Sequence, residues 1–320
     1  MSMEVIKAGI VDTFQDTGRY SHQHLGINPG GAMDLVAMHV ANALVRNELN
    51  EAVLELCFPA SVILFKKPAL IAISGADFYA ELNGNPVPVN QTITVSAGTE
   101  LKFTKVRKGV FCYLAIQGGF RLLSWLNSNS TNQKAQAGGW NGRSLQKGDV
   151  IEFKSDLSMI HETKILPWRA NVFDFYNDAE NIQILRGHEF DWLHPSSQEK
   201  LMEEFFTMTP LRDRMGYRLK GEVLSKQHGE LISTSATFGS VQLLPDGQLI
   251  ILMADHQTTG GYPRVAQVIA ADRSKLVQTN VGERVSFREI SLQEAEDLLL
   301  LQRKVLKQIQ VTCKVHLKDF

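Results

Sequence analysis

The sequence is short of the features that would assign it quickly, and each shortage excludes a class of function. Charge is nearly balanced: 33 Lys and Arg stand against 34 Asp and Glu in 320 residues, a formal net charge of -1. A chain that wraps a polyanion needs a basic face or tail, so nucleic acid is not an expected partner. No apolar run approaches the roughly 20 residues that cross a bilayer, and the opening MSMEVIKAG lacks the charged head and apolar middle of a secretory signal. The expectation is a cytoplasmic protein with no membrane partner. Cysteine is scarce, with Cys57, Cys112 and Cys313 far apart and odd in number, which suits reduced thiols rather than a disulfide framework. No CxxC or Cys/His spacing occurs, and His22 and His24 have no third ligand nearby, so no metal site is expected. A GxxxxGK[ST] loop is missing, so any use of ATP cannot depend on that phosphate cradle. A Gly-x-Ser-x-Gly elbow is missing too, and no Ser/His/Asp set is identifiable by spacing, which counts against a serine amidase.

What is present is a β-rich chain long enough for two domains. From Ser61 to Phe120 short apolar runs alternate with turns, among them the tight Asn83-Gly84 pair, as in a sheet or barrel. Before them, Met33, Val36, Ala37, Val40, Ala41, Leu44 and Val45 recur at helical spacing behind Asn28-Pro29-Gly30-Gly31. Residues 126–147, rich in Asn, Ser, Gln and Gly, read as an exposed loop serving as a lid or facing a partner. Ile182 to Gly187 loosely echoes the opening strand, and an amphipathic helix follows around Ser196 to Phe206 with Leu201 and Phe205 inward. Ser291 to Glu294 is a capping box that starts a terminal helix, with Leu298, Leu301, Val305 and Ile309 on its apolar side. The expected organisation is an N-terminal lobe over 1–165 and a C-terminal lobe over 166–320 carrying that helix.

Three stretches offer chemistry. Gln242 to Arg264 runs from a Pro-Asp-Gly turn through an apolar strand, Leu249 to Met253, into the polar group Asp255, His256, Gln257, Thr258 and Thr259, then Gly260-Gly261, Tyr262 and Arg264. A glycine pair allows backbone angles that a Cβ forbids, so main-chain N–H groups can converge on an anion or amide. The competing reading is a tight turn with local hydrogen bonds. Arg212 to Leu219 places three arginines within seven residues; read as a strand, it puts Arg212, Arg214 and Arg218 on one face and Asp213 and Tyr217 on the other. These side chains form either a clamp for carboxylate or phosphate or a solvated edge. Gly30-Gly31 ahead of a helix offers N–H donors to an anion, and Asp16 with Arg19 brackets a turn or faces a substrate.

The same stretches carry a resemblance. Thr13, Gln15, Asp16, Gly18 and Arg19 fit an opening T-x-QD-x-GR, and GGAMD (30–34), SGAD (74–77) and YLAIQGG (113–119) continue it. Gly138, Gly139, Gly142, Arg143, Leu145, Gly148 and Asp149 fit GG followed by GR-x-L-x-x-GD, and DRMGYRL and the Gln242–Arg264 stretch complete it. The chain resembles the family called allophanate hydrolase subunit 2, KipA-like or biotin-dependent carboxyltransferase, which includes the C component of bacterial 5-oxoprolinase. Cys57-Phe58-Pro59-Ala60 departs from the Gly-Pro turn usual there.

The resemblance implies a mainly β fold with a few helices, built as two cyclophilin-like β-barrel lobes. It implies one component of an ATP-dependent enzyme that opens 5-oxoproline to glutamate together with an A component and a KipI-like B component. The alternatives behind that reading are a carboxyltransferase module of the urea carboxylase or urea amidolyase type, or a regulatory protein that binds a KipI-like kinase inhibitor. No Met-Lys-Met segment is present, so in the carboxyltransferase case biotin would ride on a separate carrier. For a small acidic or amide substrate, the implied roles are proton transfer by Asp255 or His256 and neutralisation of charge by Arg214, Arg218 and Arg264. The Gly260 and Gly261 amides would hold the carbonyl oxygen, with Gly30, Gly31, Tyr217, Thr258, Thr259 and Tyr262 completing the candidate binding set in one shared cleft.

Overall fold

A computed structural model describes residues 2–157, 159–227, 229 and 231–317. The chain forms two compact units: Met1–Arg19, Gly30–Val172 and Arg303–Phe320 make the first, and Tyr20–Pro29 with Phe173–Gln302 makes the second. The division is not a single cut along the sequence, because a short early segment joins the later unit and the end of the chain joins the earlier one.

The first unit is built on two six-stranded sheets. One orders Val150–Glu152, Ser2–Lys7, Val62–Phe65, Glu100–Phe103, Ala80–Leu82 and Asn85–Pro86; the other orders Lys164–Arg169, Gln91–Val95, Ala69–Asp77, Lys108–Ile116, Val53–Cys57 and Thr13–Gln15. Alternation sets which face is greasy: Met3 and Val5 of the first sheet and Ile71, Ile73, Leu114 and Ile116 of the second fall in one core cluster. The other face of the second sheet is apolar as well, and the helix Leu35–Leu44 packs on it against Ala69–Asp77 and Lys108–Ile116. That is why ALIAISG reads as a continuous apolar run. The helix starts where the Asp34 side chain accepts a hydrogen bond from the Ala37 amide at 2.9 Å, satisfying a donor that the first turn leaves open.

The second unit contains a closed barrel of seven strands: Asn181–Arg186, Arg264–Val268, Ser240–Leu243, Leu249–Leu252, Gly216–Lys220, Phe206–Arg212 and Arg284–Glu289, the last returning to the first. Asn181–Arg186 and Arg284–Glu289 pair in parallel, and the other barrel pairs are antiparallel. The mainly β expectation is thus met, with the second unit closed as a barrel and the first arranged as two sheets about one core. The helix Pro195–Glu203 ends before Phe205, which is 43% exposed and lies under the Arg284 guanidinium instead of facing inward.

The last helix, Leu292–His316, starts with the expected capping box: the Glu294 amide donates to Ser291 Oγ and the Ser291 amide to Glu294 Oε2. Its buried stripe is Leu306, Ile309, Gln310 and Cys313, whereas Leu301 is exposed. The stripe sits in the final turns because those turns are the ones held by the first unit: Gln310 Nε2 donates to the Asn47 carbonyl, Lys314 pairs with Glu48, and His316 stacks on Trp168.

Candidate functional site

In the second unit the two motif stretches pair as neighbouring strands, Gly216–Lys220 on Leu249–Leu252, and two ion pairs, Arg214–Asp255 and Arg218–Asp246, join them further. Arg214 lies at the bend between Phe206–Arg212 and Gly216–Lys220, where the Asp213 carboxylate accepts from the Met215 and Gly216 amides and tightens the turn. Strand alternation therefore does not govern residues 213–215. From the bend, Arg214 Nε donates to Asp255 Oδ2 at 2.7 Å and Nη2 to Oδ1 at 3.0 Å, a two-pronged contact with the side chains 13% and 27% exposed. The Asp255 amide in turn donates to the Arg214 carbonyl at 2.7 Å.

His256 follows directly and is 3% exposed. Its Nδ1 lies 2.6 Å from the Gln257 carbonyl, which can only accept, so Nδ1 carries the proton and Nε2 is the basic nitrogen. Burial pushes the imidazole below its ordinary range, and the nearby Arg273 charge adds to the shift. His256 is accordingly neutral at physiological pH.

The other arginines are committed elsewhere. Arg218 pairs with Asp246 of the Pro-Asp-Gly turn. Arg264 donates from its amide, Nε and Nη2 to the Glu189 carboxylate at 2.9, 3.0 and 2.8 Å, and from Nη1 to the Ser235 carbonyl. Burial alone would raise the Glu189 carboxyl, yet the bonds from Arg264 hold it below the ordinary range. Tyr217 is 1% exposed with its hydroxyl on the Val277 carbonyl, which makes it part of the barrel interior. Each guanidinium proposed from sequence to meet phosphate thus already has a carboxylate. The three do not fit a nucleotide cradle.

Gly260 and Gly261 differ from the sequence expectation in their reason. Neither adopts the left-handed backbone; Gly260 lies in the two-residue strand Thr259–Gly260 paired with Thr234–Ser235. A Cβ at Gly260 would stand 2.8 Å from Gln242 Nε2, so the residue is small to let a buried side-chain amide approach. That Gln242 nitrogen and the Thr234 hydroxyl are buried without hydrogen-bond partners. Thr258 lends its carbonyl to the Ala236 amide, and Thr259, Gly261 and Tyr262 are exposed.

Gly30 and Gly31 belong to the first unit. Gly31, at φ +95°, lies against the Thr17–Gly18 backbone, where a Cβ would stand 2.9 Å from the Gly18 nitrogen; the conformation and the contact both require glycine. The donors around the helix start are taken by protein groups. Met33 N donates to Glu55 Oε2, Asp34 N to the Tyr113 hydroxyl, and that hydroxyl to Glu55 Oε2, at 2.8, 2.7 and 2.8 Å. The Asp16 carboxylate accepts from Ser128 Oγ, Ser130 Oγ and the Gly18 and Asn129 amides at 2.5 to 2.8 Å, and Arg19 donates to the Ser130 carbonyl and lies 4.8 Å over the Trp125 ring. The loop expected to be an exposed lid is therefore fastened down at Ser128, Ser130 and Thr131, all buried. Its polar residues are spent on a buried carboxylate.

Glu189 and Glu55 were missed as partners because each is a lone carboxylate in an apolar or unremarkable stretch, and Tyr113, though it opens YLAIQGG, has no spacing that ties it to Glu55 or Asp34. Among the described residues, no group of three or more His, Cys, Asp or Glu is arranged to hold a metal ion. No described helix is long and apolar enough to cross a membrane.

The family model described as carboxyltransferase domain, subdomain A and B, matches residues 25–289. A Haemophilus influenzae protein named as the C subunit of 5-oxoprolinase is 38% identical over 299 residues, covering 93% of this chain and 94% of that one. One of the same name from Escherichia coli is 33% identical over 311 residues, covering 96% and 97%. The crystal structure of the Kluyveromyces lactis urea carboxylase superposes with a TM-score of 0.85 at 25% identity, covering 96% of this chain and 29% of that one.

Proposed function

This chain belongs to the carboxyltransferase family, subdomains A and B, and from that premise we propose that it is the C component of a 5-oxoprolinase, cleaving 5-oxoproline to glutamate together with the A component and the KipI-like B component. The observation that carries this reading is length: the relatives named for that component align with it over 94% and 97% of their own chains. Opening 5-oxoproline adds water across a lactam whose carbonyl is a poor electrophile. The reading couples that step to ATP hydrolysis. Because Arg214, Arg218 and Arg264 are each engaged by a carboxylate, the nucleotide is assigned to the partner proteins, and no step involving it is placed on this chain.

What this chain contributes is a corner of the second unit. Asp255 holds Arg214 at the hairpin bend, and next to it His256 keeps its proton on Nδ1 and presents Nε2 as a base. His256 is the proposed proton acceptor, and Asp255 is its neighbour that fixes the backbone through Arg214. Gly260, Gly261, Thr258, Thr259 and Tyr262 remain the proposed contacts of the substrate amide. A cytoplasmic location goes with this reading and with three free thiols.

The test is to purify the chain with its A and B partners and measure glutamate release from 5-oxoproline with and without ATP. Release that needs every component and ATP is the expected result; glutamate formation that is indifferent to this chain would refute it. A second reading, carboxyl transfer from biotin held on a separate carrier, is favoured by the fold shared with the urea carboxylase. It predicts biotin-dependent carboxylation and no glutamate from the same preparation. Tight binding to the KipI-like component with neither activity would mark a KipA-like regulatory protein.

A further inference from the structure

Arg214, Arg218 and Arg264 are each paired with a carboxylate, but Arg273, which no motif contains, is not. It follows the strand Arg264–Val268 and begins the short helix Arg273–Val277. Its Nε is sealed from solvent and has no hydrogen-bond partner, while the residue as a whole keeps part of its surface open. The carboxylate beside it in sequence is turned away: Asp272 accepts from the Gln183 amide at 2.8 Å and pairs with Lys275 at 3.0 Å. What holds the guanidinium is the face of Phe238, with the guanidinium carbon 5.1 Å from the ring centroid. Gly239, at φ +89°, makes room, since a Cβ there would stand 3.3 Å from Arg273 Nε and 2.7 Å from Gln267 Nε2. The Gly239 amide donates to the Leu252 carbonyl at 2.8 Å and the His256 amide to the Met253 carbonyl at 3.1 Å, so the Phe238–Gly239 segment that backs Arg273 lies beside the strand end that carries His256; burial lowers the arginine's proton affinity, and its charge adds to the lowering at His256.

A guanidinium whose Nε is sealed from water without an acceptor is costly, and folded proteins rarely keep one. The costs are recovered when a ligand supplies the missing charge. We propose that Arg273, backed by Phe238, is the anchor for the carboxylate of a small organic acid, which binds beside His256 through the unengaged Nη groups. On the 5-oxoprolinase reading, on which the identity of the acid rests, that group is the carboxylate of 5-oxoproline, and the lactam is turned toward the His256 side. Arg273 is then a binding residue, and the motif arginines are structural.

The test measures binding of three probes to the full chain and to its Arg273→Gln and Arg273→Lys variants: 5-oxoproline, 2-pyrrolidinone, which is the same lactam without the carboxylate, and inorganic phosphate. Arg273→Gln is expected to weaken 5-oxoproline by about tenfold to a hundredfold, the worth of a charge-assisted contact, with Arg273→Lys intermediate and 2-pyrrolidinone unchanged across all three. Removing an uncompensated cation is also expected to leave the unfolding temperature without ligand unchanged or raised. Phosphate binding that depends on Arg273, with no binding of 5-oxoproline, would keep the anion anchor and discard the substrate assignment. The proposal is overturned if neither anion binds the wild-type chain, if Arg273→Gln binds both as tightly as wild type, or if that variant unfolds earlier, which would make the stacked guanidinium a structural part.

Discussion

The two-pronged Arg214–Asp255 ion pair ties the two strongest motifs of the second unit together at the end of their shared strand ladder, and its worth is open to direct measurement. The pair is neither on the surface nor fully buried, at 13% and 27% exposure. Exposed pairs contribute about 1 kcal/mol or less, and breaking a buried pair costs about 3–5 kcal/mol. With two charge-assisted bonds of 2.7 and 3.0 Å, Asp255→Ala should cost about 2 kcal/mol, mostly because Arg214 is left desolvated without its counter-charge. For a unit of this size that is a fall of roughly 4–8 °C in midpoint. The assay is a double-mutant cycle: Asp255→Ala, Arg214→Met and the double variant, each unfolded thermally and in urea. The double variant should recover part of the loss, with a coupling energy of about 1–2 kcal/mol. Single effects that add to within about 0.5 kcal/mol would show that the two side chains do not depend on one another and would remove the argument that this pair sets the corner.

The remaining predictions concern the first unit. Asp12 is 1% exposed, and burial lifts its carboxyl to about 6 in spite of hydrogen bonds from Ser61 and Cys57. Its unfolded value is about 3.9, so the folded chain binds more protons between the two; the stabilisation is complete below about 3.9 and is lost as pH rises through 6, about 3 kcal/mol in all. The stability difference between wild type and Asp12→Asn should therefore shift by about that amount from pH 4 to pH 8 in urea unfolding; a difference independent of pH would refute the assignment. Asp16→Ala should release Ser128, Asn129 and Ser130 and speed proteolytic cleavage within 126–147 by roughly tenfold or more. Cleavage at the wild-type rate would mean that other contacts hold the loop.

Periodicity made a good deal of this molecule legible. The helix Leu35–Leu44 and the Ser291–Glu294 cap were readable because each obeys a local rule that tertiary packing did not override. Phe205 and Leu301 were misplaced because a helical wheel gives a direction without saying where the helix ends or which turns have a neighbour. The site was harder. Composition labels residues 126–147 as loop, yet their polar side chains serve one carboxylate more than a hundred positions away, and pairing at that distance leaves no local trace. Counting arginines pointed to Arg214, Arg218 and Arg264; that each is already paired is visible only once Asp255, Asp246 and Glu189 are seen in place. Of the glycine pair, Gly260 is required small by its proximity to Gln242 rather than by backbone angle, a contact that no local pattern shows.

The final turns of the chain, through Gln310, Lys314 and His316, rest on residues 47, 48 and 168. A ribosome must therefore make Gln310, Lys314 and His316 before residues 47, 48 and 168 can acquire this support. Removing those turns would be felt by segments synthesised long before them.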